Sequence, residues 1–288
     1  MKRSLRAALI AVLTAVCLTT AVRADFGPKD ALVVRVVNAP GETYYLDLLY
    51  RPKDGAVLHD NLTEAERAAL NPAMIERLRE NPAGLTPVLA EGTSIPAFGS
   101  LTGQPAGGCM KHVFSYYGLP DTYRIIITTE SGETRISEEY TRRALQSSIT
   151  YDYATGRASV PPLWRQYLLQ FAASCAATLV IEGAVLLLFR FSLRKNAAVF
   201  VLVNLATQIF LTAVMGRALI LGGTLSARFT QIPCELAILI AEAAAYAFLL
   251  RGHSRARRIG CAVCANLASW GATYLLLAPL YRAITSIA

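Results

Sequence analysis

Four long apolar stretches fill the C-terminal part of the chain, at residues 163–189, 197–221, 232–250 and 259–281. Each is near the roughly 20 residues that a helix needs to cross the hydrocarbon core of a bilayer. The pattern predicts an all-α bundle of four transmembrane helices over residues 161–288, surrounded by the lipid bilayer.

Polar residues interrupt each of these stretches at a similar depth. A rise of 1.5 Å per residue places four of them roughly 10–12 Å from one common end of their helices, and the other two lie one turn deeper. Polar groups in a span are costly and usually face the interior of a bundle. We therefore expect them to meet in one layer, called the polar layer below. Its members are Glu182, Asn204, Gln208, Glu242, Asn266 and Ser269.

Three interpretations of the polar layer are open. The first is a set of interhelical hydrogen bonds among Asn, Gln and protonated Glu side chains. The second is an ion or proton site, in which a cation lies between Glu182 and Glu242; no other cofactor is predicted. The third is catalysis, although the layer holds no nucleophile beyond Ser269 and no histidine. We assign no catalytic residue and no metal-ligand set.

Two residue pairs in the apolar stretches have a possible role of their own. Arg217 and Glu235 lie at similar depth near the outer ends of the second and third stretches, and we predict an ion pair between them. The alternative is that each side chain extends separately to the headgroups. Cys261 and Cys264 lack a second pair of metal ligands, so we interpret them as packing residues.

The N-terminal half has two parts. Residues 1–24 have a basic start, a short apolar run and small residues around Arg23, which is the pattern of a cleavable signal peptide. Residues 25–160 mix strand-like and helix-like patterns, which predicts a compact α+β domain.

Local signals indicate the elements of this domain. The strand-like residues 31–37 and 43–50 flank a Pro-Gly dipeptide, which predicts a hairpin. Thr63 and Glu66 predict a capping box at the start of a short helix, and a second helix begins at Pro72. Residues rich in Gly and Pro predict a long surface loop over 82–108. Further strands are predicted at 112–117, 122–129, 133–137 and 148–153.

Composition and charge agree with a membrane protein. The chain is 54% hydrophobic with a mean hydropathy of +0.39, which is too apolar for an ordinary soluble protein. Residues 25–160 hold 13 basic and 17 acidic side chains, whereas residues 161–288 hold 11 basic and three acidic ones. The positive excess therefore lies in the apolar half and at the leader, so we expect no nucleic-acid partner.

The basic residues also indicate an orientation. The connections 190–196 and 251–258 contain basic residues and no acidic one, so the positive-inside rule places both in the cytoplasm. Residues 25–160 and the C terminus are then extracytoplasmic, in agreement with the signal peptide. The expected location is the plasma membrane of a bacterial cell, with several spans.

No motif in the sequence names a reaction. We expect a non-enzymatic surface protein whose outer domain binds or organises an unknown protein partner, with residues 82–108 as the contact surface. One alternative is a membrane module that binds or conducts an ion or proton through Glu182 and Glu242, which with only four helices calls for a homo-oligomer. A second alternative is an intramembrane enzyme.

Overall fold

The computed structural model describes the backbone of residues 29–82 and 84–285. A sheet-rich N-terminal part is followed by three long helices, two of which are long and apolar enough to cross a membrane. The predicted signal peptide, residues 1–24, lies outside the described residues, as do the last three residues of the C-terminal tail.

The sheet-rich part contains two sheets that share one apolar core. Its strands are β1 (Ala31–Val37), β2 (Tyr44–Tyr50), β3 (Thr86–Pro87), β4 (Gln104–Ala106), β5 (Cys109–Ser115), β6 (Thr122–Thr129), β7 (Thr134–Ile136), β8 (Tyr140–Thr141), β9 (Gln146–Asp152) and β10 (Arg157–Ser159). Sheet 1 has the order β10-β9-β1-β5-β4, with β1 parallel to β9 and antiparallel to β5. Sheet 2 has the order β3-β2-β6-β7, and β8 also pairs with β6.

The predicted hairpin between the first two strands is wrong. β1 and β2 form as expected, but β1 lies in sheet 1 and β2 lies in sheet 2. Asn38, with a φ of 49°, turns the chain directly after β1 and starts the crossing between the sheets. Alternating apolar residues specify a buried face and not the strand that pairs beside it, so the pattern alone did not distinguish the two arrangements.

Two short helices lie between β2 and β3 in the chain, namely α1 (Glu64–Ala68) and α2 (Pro72–Arg79), and α2 packs against sheet 2. The capping box is confirmed, because the Thr63 hydroxyl accepts from the Glu66 N–H and the Glu66 carboxylate accepts from the Thr63 N–H. Asn71 caps α2 through its side-chain oxygen. The inward face of α2 joins the apolar core, which buries sheet 2 on its second side.

The predicted surface loop over residues 82–108 is wrong in its central part. Residues 86–90 are buried, because their apolar side chains enter the core. The buried carboxylate of Asp47 on β2 fixes this segment by accepting from the backbone N–H groups of Leu89 and Ala90, at 2.8–3.1 Å. Residues 94–96 and 104–108 remain exposed.

Three long helices make up the rest of the chain: α3 (Trp164–Leu188), α4 (Leu193–Leu249) and α5 (Arg255–Thr285). α4 is interrupted at Gly223, whose φ of 69° and ψ of −168° are open to glycine almost alone. Residues 222–231, which separate the second and third apolar stretches, are otherwise helical. The two halves of α4 run back along each other, since the Asn204 amide donates to the Tyr246 hydroxyl at 2.9 Å.

One backbone hydrogen bond ties the sheet-rich part to the helices. The N–H of Leu145, just before β9, donates to the carbonyl oxygen of Ile220 at 2.8 Å. Ile220 lies three residues before the break in α4. The sheet-rich part therefore rests on the end of the helices that carries this break, and we call it the outer end.

Candidate functional site: a buried polar layer between the long helices

Two glutamates meet in the interior of the helical part. Glu182 of α3 and Glu242 of the second half of α4 are only 2% and 1% exposed. Their carboxyl groups are held by Asn266 and Ser269, which lie one turn apart on α5, so the two groups lie close enough to interact electrostatically. The sequence analysis placed both residues at one depth, and the structure brings them together as the centre of the polar layer.

Hydroxyl and amide groups surround the two carboxyl groups. Ser269 of α5 donates its hydroxyl to Glu182 Oε1 at 2.7 Å. Glu242 accepts from the Thr207 hydroxyl at Oε1 and from the Asn266 amide at Oε2, both at 2.7 Å. Three of the four carboxyl oxygens thus have a donor from the protein, whereas Oε2 of Glu182 has none among the described residues.

The remaining two members of the layer present unpaired oxygens. Asn204 is fully buried, and its amide nitrogen donates to the Tyr246 hydroxyl. The Gln208 amide nitrogen donates to the Thr178 hydroxyl at 3.0 Å. The carbonyl oxygens of both amides have no donor in the described part of the chain. Hydrogen bonds thus connect Glu182 to Ser269, Ser269 to Asn266 and Asn266 to Glu242. Asn204 and Gln208 instead bond to Tyr246 and Thr178, which, like Thr207, were not predicted as members of the layer.

The donors to the two glutamates are neutral side chains. Among residues 29–82, 84–273 and 275, whose side chains the structure describes, Thr207, Asn266 and Ser269 donate to Glu182 and Glu242, and no Lys, Arg or His does so. Two like charges about 4 Å apart repel by roughly 4 kcal/mol at an effective dielectric constant of about 20. The pair is therefore more stable when protons or a cation reduce its two negative charges.

A row of polar residues continues from Glu182 toward the outer end of α3. The row follows a four-residue spacing, which keeps side chains on one slowly winding helix face. We call it the polar row, and its members are Gln166, Gln170, Ser174, Thr178 and Glu182. All except the half-buried Ser174 are at least nine-tenths buried. This spacing is visible in the sequence, but the sequence analysis considered only polar groups at the depth of the layer.

The predicted ion pair between Arg217 and Glu235 is not present. Arg217 is exposed on the first half of α4. Glu235 is buried and instead accepts from the Gln231 amide at 3.3 Å. The two residues have similar depths along their helices, but depth alone does not specify the helix face on which each side chain lies.

The ligand chemistry of the layer is that of oxygen. No group of three or more His, Cys, Asp and Glu side chains lies together in the described ranges. Cys261 is buried whereas Cys264 is exposed, so the two cysteines do not face a common site. Carboxyl, amide and hydroxyl oxygens suit protons and hard cations, and they do not suit the soft metals that thiolates bind.

Comparison with protein-family models, with curated proteins and with solved structures found no match to this chain. The polar layer is therefore interpreted from its own geometry.

Proposed function

We propose that this protein is a multi-pass membrane protein whose helical part binds one exchangeable small cation between Glu182 and Glu242. The observation that carries the proposal is the burial of these two carboxyl groups beside each other, without a basic partner among the described residues. One proton or monovalent cation removes one of the two negative charges of the pair, and a divalent cation removes both; oxygen atoms bind each of these cations.

The lengths of the helices support four spans. α4 has 57 residues, which as one straight helix would be roughly 85 Å long. The hydrocarbon core is only about 30 Å thick, so the break at Gly223 divides α4 into two spans. With α3 and α5, these two spans give the four spans of our proposal.

The connections between spans support the predicted orientation. The Asn196 side chain bonds to both backbone groups of Arg251, at 2.7 Å and 3.2 Å, and His253 lies 3.1 Å from the carbonyl oxygen of Arg190. The two basic connections, 190–196 and 251–258, therefore lie side by side at the end opposite the sheet-rich part. We place this end in the cytoplasm and the sheet-rich part outside.

Binding accounts for the layer better than catalysis does. The hydroxyl of Ser269 points at Glu182 and that of Thr207 points at Glu242, so both serve as donors to carboxyl oxygens. The unpaired oxygen atoms of Glu182, Asn204 and Gln208 are hydrogen-bond acceptors. Such atoms attract a cation, but they do not activate a nucleophile.

The test is a comparison of thermal stability between wild type, Glu182→Gln, Glu242→Gln and the double variant. Each protein is melted in detergent across pH and, at constant ionic strength, across lithium, sodium, potassium, magnesium and calcium. A ligand that binds only the folded state stabilises it by about 2.7 kcal/mol at a hundredfold excess over its dissociation constant. Glu138→Gln, which changes an exposed carboxylate, is the matched control.

Each outcome has a distinct meaning. A saturable response to one salt that disappears in the double variant supports a metal cation. A response to pH alone, lost in the same variant and kept in Glu138→Gln, supports a proton. If the three Glu182 and Glu242 variants follow wild type under every condition, the proposal is wrong and the layer only joins helices.

A second candidate function is recognition of a protein partner by the outer domain. It is favoured by an exposed apolar patch formed by Ile95, Phe98, Val113 and Tyr117, which are 43–61% exposed. The exposed part of the predicted contact loop supplies two of these residues. Replacing Phe98 and Tyr117 by Ser should reduce crosslinking of the outer domain to neighbouring proteins in native membranes without changing its folding. Unchanged crosslinking would remove this candidate.

A further inference from the structure

The polar row does not stop at the layer but reaches the outer end of the helices. Gln166 and Gln170 lie about four and about three turns from Glu182 along α3, and they are only 4% and 5% exposed. Thr178 lies between them and Glu182, and it accepts from Gln208 of the facing half of α4. The interior is therefore polar over most of the length of α3.

The first half of α4 presents a complementary set of residues to this row. Asn204, Gln208 and Thr212 follow the same four-residue spacing and are all buried. The next position is Gly216, where an added Cβ atom would come within 3.0 Å of Gln170 Oε1. The helices thus approach each other closely at this level, with the Gln170 amide between them.

Buried oxygen atoms along this line lack donors. They are Oε1 of Gln166, Oε1 of Gln170, Oγ1 of Thr212, Oε1 of Gln208 and Oε2 of Glu182, each without a hydrogen-bond partner in the described residues. More than nine in ten buried polar groups in proteins do have a partner. A line of unpaired acceptors between two helices is the arrangement that a passing cation needs, because it exchanges one oxygen ligand for the next.

The outer end of the line opens into a cavity. The cavity has a volume of about 610 Å³ and lies between the sheet-rich part and the helices. Gln166 contributes to its lining together with Trp164 of α3 and with Arg143 and Ser148 of the sheet-rich part. Gln166 is thus both the last member of the polar row and part of the cavity wall.

The inner end is closed by apolar packing. Below the Glu182/Glu242 pair, Leu186, Phe191, Phe200 and Leu250 pack into one buried cluster. Asn196 lies beyond this cluster, but both its amide groups are bonded to the backbone. The layer is therefore polar on its outer side and sealed on its cytoplasmic side.

We infer that the polar row is the access path of the cation, which enters from the cavity beneath the outer domain and reaches Glu182 and Glu242 through Gln166, Gln170, Thr178 and the facing amides of α4. The inference rests on the proposed function and adds a direction to it. It also gives the sheet-rich part a role, since this part forms one wall of the cavity through which the cation arrives.

The experiment uses the full chain in proteoliposomes of a single orientation. A rapid increase in proton concentration, or in sodium concentration, is applied to the outer or to the inner side. Protonation of the carboxyl pair is followed by its infrared absorption, and sodium binding is followed by the change in intrinsic fluorescence. The variants are Gln170→Leu and Thr212→Val, which remove oxygens at constant size, and Ala172→Leu is the control on the exposed face of the same helix.

The two row variants should slow binding from the outer side by about tenfold or more, because a cation then crosses a stretch without ligands. Their equilibrium response to pH or salt should stay that of wild type, since the carboxyl pair is intact. Ala172→Leu should bind at the wild-type rate. In addition, Phe200→Ala should create binding from the inner side by opening the apolar seal.

The outcomes separate the two proposals. If wild type shows no equilibrium response to pH or salt, the cation site itself is wrong. If wild type responds but both row variants bind the cation at the wild-type rate, the proposed access path is wrong and the site stands. The same conclusion follows if wild type binds the cation fastest from the inner side. A row variant that fails to fold is replaced by Gln166→Leu, at the cavity end of the row.

Discussion

Acid should destabilise the sheet-rich part through His112, which folding places in the core. His112 lies on β5, is 1% exposed, and has its Nε2 atom 3.0 Å from the Tyr44 hydroxyl. Its ring also packs against Gly103, where an added Cβ atom would come within 2.6 Å. This burial lowers the pKa of His112 from 6.5 to about 4, and a hydrogen bond with the Ser100 backbone only partly offsets the effect.

The size of the effect follows from this pKa. Between pH 6.5 and 4 the unfolded chain binds a proton at His112 that the folded chain does not bind. The free energy that the neutral His112 ring contributes to folding is therefore fully present above the pKa of His112 in the unfolded chain. It is lost as the pH falls toward the pKa of His112 in the folded chain. The loss amounts to about 2.5 kcal/mol on going from about pH 7.5 to about pH 4.5.

Asp47 titrates in the opposite sense, so the test has to be a difference. Burial raises the pKa of Asp47 to about 7, although three backbone N–H groups act against this rise. The folded chain then holds a proton at Asp47 that the unfolded chain releases, which adds stability on acidification. Comparison of wild type with His112→Gln cancels this contribution, because Asp47 is present in both proteins.

The assay is urea unfolding of the full chain in detergent at the two pH values, read by proteolysis within residues 29–160. Wild type should lose about 2.5 kcal/mol more than His112→Gln on acidification. The variant will also cost stability at both pH values, because Tyr44 loses its partner, but that cost does not depend on pH. His59→Gln replaces an exposed histidine of the same domain and is the control. Equal losses in wild type and His112→Gln would refute the reasoning.

Two further predictions concern single contacts. Asp47→Asn places an amide donor against the N–H groups of Leu89 or Ala90 and should destabilise the sheet-rich part by about 1–3 kcal/mol in the same urea assay, whereas the exposed Asp54→Asn should not. An unchanged urea midpoint in Asp47→Asn would show that the carboxylate does not fix residues 86–90. Gly223→Ala forces an alanine into a conformation open almost only to glycine and should cost about 1–3 kcal/mol, measured as a lower melting temperature in detergent. Gly271→Ala, at an open helical position, should melt as wild type does, and equal melting of both variants would show that the break does not need glycine.

Short-range chemistry was predictable from the sequence. The capping box of Thr63 and Glu66 and the bounds of β6 depend on neighbouring residues, and both are found where predicted. The pairing partner of β1 depends on residues more than 70 positions away, so a nearby Pro-Gly dipeptide was a poor guide. The burial of residues 86–90 likewise depends on a carboxylate some 40 residues earlier, whose partners are backbone groups with no signature in the sequence.

For the candidate site, the sequence predicted the position of each residue along its helix axis but not the direction in which its side chain points. Counting residues from the basic connections predicted that Glu182 and Glu242 lie at one level, because the rise of a helix is constant, and the structure buries both side chains between the helices. The rotation of each helix was not available from the same count, and for this reason the predicted pair of Arg217 and Glu235 is absent. The polar row shows that rotation can be read where polar residues recur at a spacing of four, as they do from Gln166 to Glu182.

The unpaired oxygen atoms are the reason for which we favour a cation site over simple joining of helices. Interhelical hydrogen bonds that only stabilise a bundle match each donor with an acceptor, as Ser269 and Asn266 do with the two glutamates. The oxygens of Gln166, Gln170 and Gln208 have no such match, and each unpaired buried acceptor costs about 1–3 kcal/mol. Helices that needed only to pack would be more stable with leucine at these positions. Helices that pass a cation inward need oxygen atoms that are free to bind it. These atoms must form a line that leads to the site of the cation, which is the Glu182 and Glu242 pair in our proposal.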